Sequence, residues 1–219
     1  MRARGEKEVL VPQEKISRPN WDDFFMSLVR EAAKRSACIY HPTASFYVDK
    51  HHHIMAFGYS GPSHGDFNCS EEGVCLKIDG DPLTKKIRRC NGAHAEINAI
   101  VNSGNTERLR GATLYTTIFP CYDCMKILNN VGVERIVYNK FYERLIDGGQ
   151  RATEGVESEA LELAHKRGII LERYLFSEEK KEISINVNPE DNNHDLQKII
   201  DEKEKEDNGV KSELQNQRF

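Results

Sequence analysis

The chain has 219 residues, 31 Lys/Arg against 35 Asp/Glu for a net charge of −4, 38% hydrophobic residues and six cysteines. That length and apolar share suit one domain of ~150 residues with extensions. No stretch approaches the ~20 apolar residues of a membrane-spanning helix, the N-terminus lacks the roughly 7–15-residue apolar run of a secretory leader, and no basic excess advertises a general nucleic-acid binder, so a soluble cytoplasmic protein is expected.

Residues 1–17 read as a flexible arm. Asn20 stands where a helix cap belongs, with Asp22 and Asp23 in the first turn, favoured by the positive helix end. Trp21, Phe24, Phe25, Leu28, Val29, Ala32 and Ala33 then recur at helical spacing, predicting a first helix to about Arg35. Ser45–Val48 and Ile54–Tyr59 read as strands joined by a polar connection. Residues 60–90, rich in Gly, Pro, Asp and Cys, read as loop. A helix from His94 to Gly104, a strand over 112–119, a helix stopped by Gly132, a strand over 134–139, a helix stopped by Gly168 and a final strand over 169–176 follow. This order predicts an α/β fold: a three-layer α-β-α sandwich around a five-stranded mixed sheet, its last two strands parallel because a helix separates them. Residues 177–219 hold seven Lys/Arg against twelve Asp/Glu, a net −5, which leaves 24 against 23 on the rest of the chain, a net +1. With Phe219 as its one aromatic residue, this tail can bury little and is expected to be mostly disordered.

Two short segments carry chemistry: His94-Ala95-Glu96 and Pro120-Cys121-Tyr122-Asp123-Cys124. Two cysteines three residues apart at a helix start place two thiolates on one side of a metal, where the helix N-terminus favours their charge. His94 as third ligand leaves a fourth tetrahedral position open, the pattern of catalytic rather than structural zinc. Glu96, two residues on, is placed to move protons at that position. Taken singly, the cysteine pair is shared with redox sites and zinc ribbons, and a histidine at a helix start is usually a plain polar residue. Their combination in register is far more specific.

On these residues the chain resembles the zinc-dependent nucleotide and nucleobase deaminases, with their H-x-E…P-C-x-x-C signature. The resemblance implies that His94, Cys121 and Cys124 hold zinc, that activated water attacks C4 of a cytosine ring, and that Glu96 shuttles protons as ammonia leaves. Within that superfamily it is most like deoxycytidylate deaminase. Arg18-Pro19-Asn20-Trp21-Asp22 with Phe25-Met26 resembles that family's opening helix. Gly58-Tyr59-Ser60-Gly61 resembles its Gly-Tyr-Asn-Gly turn, and His94-Ala95-Glu96-Ile97-Asn98 its extended zinc motif. The likeness covers residues 18–176. It implies conversion of dCMP to dUMP for thymidylate synthesis, a homo-oligomer, commonly a hexamer, and dCTP and dTTP as effectors. It also makes Tyr59, Ser60, Gly61 and Tyr142 substrate-binding candidates. The sequence departs at Ser60, where the family has Asn and an extra amide donor, and over Pro42-Thr43-Ala44-Ser45, where it usually has Val-Gly-Ala.

Some family members carry a second, structural zinc near this chain's loop-like segment. The resemblance thus offers Cys38, Cys69, Cys75 and Cys90 as its ligands, with His64 able to replace one, against four unligated thiols of a reducing compartment. His51-His52-His53 reads as a solvated turn in preference to a metal patch. Arg88 and Arg89 are phosphate-contact candidates against the reading of an exposed pair. Two other functions compete with the nucleotide enzyme: a tRNA or single-stranded DNA deaminase of the same fold, and a zinc-stabilised regulatory module without catalysis. The near-neutral charge of residues 1–176 speaks against the first and Glu96 against the second.

Overall fold

The computed structural model describes residues 17–142, 144–145, 151–152 and 158–179. Most of the arm, over 1–16, and the tail beyond 179 lie outside the described residues. Along the chain run α1 (Trp21–Ala33), β1 (Ala44–Val48), β2 (Ile54–Tyr59), β3 (Gly61–Pro62), α2 (Cys69–Glu72), β4 (Gly92–Ala93), α3 (Ala95–Asn102), a 3₁₀ turn (Thr106–Leu109), β5 (Thr113–Ile118), α4 (Tyr122–Val131), β6 (Arg135–Lys140), β7 (Arg144–Leu145), β8 (Arg151–Ala152), α5 (Ser158–Arg167) and β9 (Ile170–Arg173). The chain separates into two units, Met1–Tyr174 and Leu175–Phe219. In the described part of the second, the Phe176 amide donates to Glu179.

Five strands form one mixed sheet in the order β2-β1-β5-β6-β9. β1 is antiparallel to β2 and β5, whereas β5, β6 and β9 run parallel. Antiparallel β1 and β2 need only a tight turn, while each parallel step takes a helical crossover, supplied by α4 and α5. This is the expected sheet, with the last two strands parallel. One face bears Tyr47, Leu114 and Ile136, packed with Ala99 of α3, Met125 and Leu128 of α4, and Ala160 and Ala164 of α5. The register pairs Tyr47 with Leu114 and Phe46 with Tyr115, so Phe46 and Tyr115 point to the opposite face. There α1 closes the second layer with Phe25, Met26 and Val29, the Phe25 and Tyr115 rings 5.0 Å apart.

The start of α1 is fixed by Asn20, whose side chain accepts from the Asp23 amide at 2.8 Å. Gly132 and Gly168 end α4 and α5 in the left-handed region, at φ 87° and 71°. Asp22 of α1 accepts from the Tyr115 hydroxyl at 2.7 Å and from Arg135 at 2.7 and 3.0 Å, and Arg135 also reaches Glu172. The Arg135 hydrogen bond holds the Asp22 carboxyl below the ordinary aspartate range. Between β1 and β2 the Asp49 carboxylate accepts the His51 and His53 amides. His52, at φ 65°, lies flat on Trp21 with ring centroids 4.1 Å apart.

β2 is one of the two outer strands, and α3 crosses it at close range. A Cβ on Gly58 would stand 2.4 Å from the Ala99 amide nitrogen, so only glycine fits. Asn98 and Asn102, one helical turn apart, donate their side-chain amides to the Tyr59 and Phe57 carbonyls at 2.8 and 3.1 Å. β3 and β4 form a two-residue ladder, Gly61 with Ala93 and Pro62 with Gly92, which draws together the ends of the cysteine-rich segment and sets His94 beside the turn after β2.

Candidate active site

His94 and Cys121 are the residues that introduce α3 and α4. Both hold extended backbone angles, and neither side chain caps its own helix. Their side chains face each other instead: His94 Nδ1 lies 3.4 Å from Cys121 Sγ and 3.3 Å from Cys124 Sγ. All three donor atoms fall within 4.8 Å of one another. Two ligands of one tetrahedral zinc, at about 2.3 Å for sulfur and about 2.0–2.1 Å for nitrogen, stand about 3.6 Å apart. One imidazole and two thiols at this spacing fit zinc, and they leave one corner of the tetrahedron to be filled from the cleft.

Titration at the site follows from these contacts. The hydrogen bond with the Cys121 thiolate, opposed by burial, pushes His94 up to about 9. The Cys124 thiol donates to Cys121 and, with His94, pulls Cys121 down to about 4 against its burial. The same bond, reinforced by burial, raises Cys124. Without metal the three groups thus hold an imidazolium, a thiolate and a thiol; zinc takes the place of the two protons. Glu96, 3% exposed, is raised chiefly by desolvation. Its backbone carbonyl accepts from the Tyr47 hydroxyl at 3.3 Å. A carboxyl held above its usual range beside an open metal corner is equipped to give and take protons.

His94, Cys121 and Glu96 line one cleft of about 770 Å³, with Cys124 buried behind them, and Ser60, Gly61, His41 and Tyr142 line it too. A cavity of this size holds a nucleotide-sized ligand.

The family model of the cytidine and deoxycytidylate deaminase zinc-binding region matches residues 19–140. The chain belongs to this deaminase family. It is 35% identical to the deoxycytidylate deaminase of Mycobacterium phage D29 over 131 residues, 57% of this chain and 98% of that one. It is 32% identical to a probable deoxycytidylate deaminase of Drosophila melanogaster, covering 77% of this chain and 85% of that one. It is 28% identical to the deoxycytidylate deaminase of Saccharomyces cerevisiae over 78% of this chain. The chain spans about half the length of the two fungal relatives it matches, 50% and 45%. The dCMP deaminase of cyanophage S-TIM5, solved with dCMP and dUMP, shares the fold with a TM-score of 0.54 at 22% identity, over 73% of this chain and all of that one.

Within this deaminase fold the remaining candidates separate. Ser60 is consumed internally: its hydroxyl lies 2.7 Å from that of Ser36 and accepts from the Thr43 amide at 3.3 Å. It therefore braces the turn in place of the missing asparagine. Tyr59 lines a neighbouring polar recess with Arg35 and His64 and is absent from the cleft wall. Tyr142 lies against His41 on the cleft wall, ring centroids 4.5 Å apart. Cys38, Cys69, Cys75 and Cys90 all line the cleft. Burial raises the Cys69 thiol, opposed by a hydrogen bond from the Leu76 backbone. Among the described residues, His94, Cys121 and Cys124 are the one group of donors drawn to metal spacing. His51–His53 belong to the turn held by Asp49. Arg88 is paired with Asp81 at 3.2 Å, and neither it nor Arg89 lines the cleft. No helix among the described residues is long and apolar enough to cross a membrane. Sequence reasoning passed over His41 and Lys77, two further cleft residues that belong to no motif.

Proposed function

We propose that the chain deaminates dCMP to dUMP by zinc-dependent hydrolysis, releasing ammonia. The observation that carries this reading is a buried glutamate beside a His-Cys-Cys donor set at the wall of one nucleotide-sized cleft in a deaminase-family fold. His94, Cys121 and Cys124 would hold zinc, which supplies Lewis-acid activation of the attacking water. Glu96 would take one proton from the attacking water and pass it to the ring nitrogen as oxygen adds to C4, then move the remaining hydroxyl proton to the amino group as the C4–N bond breaks, so that water and cytosine become uracil and ammonia. Tyr142 packs over the base, and Gly61 lines the same cleft. The deoxycytidylate deaminases among its relatives, and the fold shared with an enzyme solved with dCMP and dUMP, support the substrate.

Residues 18–176 form the deaminase domain in this reading, acting in the cytoplasm, where reduced thiols persist. A second, structural zinc on Cys38, Cys69, Cys75 and Cys90 is supported by the place of all four on the wall of one cleft. Assembly into a homo-oligomer is supported by apolar groups left outside the fold on β2 and α3, Ile54, Phe57 and Val101; control by dCTP and dTTP follows the family.

Ammonia release from dCMP, dCTP, deoxycytidine, cytidine and a single-stranded oligonucleotide, each with and without dCTP, tests the activity. Turnover of dCMP is expected; turnover of the oligonucleotide alone favours the nucleic-acid enzyme, and none from any substrate the non-catalytic module. Metal counting on the same protein gives two zinc per chain if the four-cysteine site is filled; one overturns it.

A further inference from the structure

The substrate proposed above brings a phosphate dianion to a cleft poor in positive charge. Glu96 and Asp123 contribute carboxylates to its wall, and among the described residues Lys77 is the single lysine or arginine that lines it. The next candidates are committed elsewhere: Lys126 pairs with Asp123 at 2.7 Å, and Arg88 with Asp81. Among the described residues Lys77 itself has no ion-pair or hydrogen-bond partner for its ammonium.

The backbone that carries Lys77 is anchored on both sides. Cys75 and Leu76 before it are buried. The Cys75 amide donates to Asp79 at 2.8 Å, and the Arg88 amide to the Leu76 carbonyl at 2.9 Å. Tyr40, another cleft residue, donates its hydroxyl to the other Asp79 oxygen at 2.9 Å. Both carboxylate oxygens of Asp79 are thus engaged, so the acid nearest Lys77 in sequence is held to the turn. A fixed backbone, an uncommitted ammonium and a position on the cleft wall are what an anchor for a terminal phosphate requires.

We propose that Lys77 receives the substrate phosphate and is the specificity-determining residue that makes this cleft a nucleotide rather than a nucleoside site. The inference rests on the deaminase reading. Zinc-loaded full-length wild type, Lys77→Gln and Lys77→Arg are compared by ammonia release from dCMP and deoxycytidine, and by calorimetric titration with dUMP and deoxyuridine. In Lys77→Gln the ratio of kcat/KM for dCMP over deoxycytidine falls about 10- to 100-fold, the scale of one charge-assisted hydrogen bond, with the loss in KM, and Lys77→Arg retains most of the ratio. Binding of dUMP weakens by a similar factor relative to deoxyuridine. A Lys77→Gln ratio equal to wild type overturns the proposal, as does an equal loss on both substrates, which marks a structural role. If wild type turns over neither substrate, the deaminase reading fails on its own, and the titrations still judge Lys77. There, absent dUMP binding or equal weakening of both ligands overturns it.

Discussion

Gly58→Ala would place a Cβ 2.4 Å from the Ala99 amide nitrogen, 2.7 Å from the Ala95 carbonyl oxygen and 2.8 Å from the Asn98 carbonyl carbon, where ordinary contact begins at 3.4 Å. All three atoms are backbone, so no side-chain rotation relieves the overlap. Either β2 or α3 must give way by about 1 Å. Overpacking of this kind costs about 1–3 kcal/mol, which at ~2–4 °C per kcal/mol for a chain of this size lowers Tm by roughly 2–12 °C. The larger effect is on chemistry. α3 carries Glu96 one turn before Ala99, and a displacement of ~1 Å at a reacting group costs on the order of 10²-fold in rate. Zinc affinity falls less than the rate, since Cys121 and Cys124, at the start of α4, are not touched by the new methyl, while His94, which introduces α3, shifts with it. Thermal unfolding, zinc affinity and dCMP turnover measure the three quantities. A Gly58→Ala protein with wild-type Tm and wild-type rate refutes the claim that this close crossing positions the glutamate.

Glu96→Ala is expected to keep zinc and fold while losing at least ~10²-fold in rate, the scale of a general acid–base group; a metal-free variant would contradict its role as a proton carrier. Zinc uptake at neutral pH is expected to expel about two protons, because His94, pushed up to about 9, and the raised Cys124 are protonated there while Cys121, near 4, is not. Apparent affinity then rises about 100-fold per pH unit up to about 9, and calorimetry in buffers of different ionisation heat that detects no proton release would refute it. Asp22→Asn is expected to cost about 1 kcal/mol near neutral pH. Because Arg135 holds that carboxyl below its ordinary 3.8, its contribution is present above that value and is lost as pH falls through the lowered one, so the stabilities of variant and wild type converge in acid. Urea midpoints at pH 7 and 3 decide it.

The parts of the molecule that could be read in the sequence are those whose signals are local. Asn20, Gly132 and Gly168 mark helix ends within a few residues of the turns they cap, and alternation in Ile54–Tyr59 marks a strand with one covered face. The metal centre was legible for the same reason, since each half of its signature lies at the start of one helix. Other features depend on pairings far apart in the chain. Asp22 and Arg135 meet across 113 positions with nothing in either neighbourhood to announce the partner. The β3–β4 ladder consists of Gly61, Pro62, Gly92 and Ala93, residues with no strand pattern, and forms because β2 and α3 bring its ends together. Tyr59 and Ser60 show the limit of reading a turn by resemblance: adjacent residues of one motif, they face different recesses, and the second is spent on holding the turn. Lys77 carries no motif at all, and its place on the cleft wall follows from how the 75–88 segment folds back on itself.

Trp21 is the one tryptophan in the chain, and its ring lies 4.1 Å from that of His52. Intrinsic emission is therefore a single-site optical reporter, sensitive to whether the turn between β1 and β2 rests on α1. Ser60 and Thr43, at the other ends of those strands, line the cleft, so the reporter watches the end of the hairpin remote from the metal. Chelator or denaturant titrations followed by emission will register release of that turn, and comparison with zinc loss separates peeling of the outer strand from collapse of the metal centre.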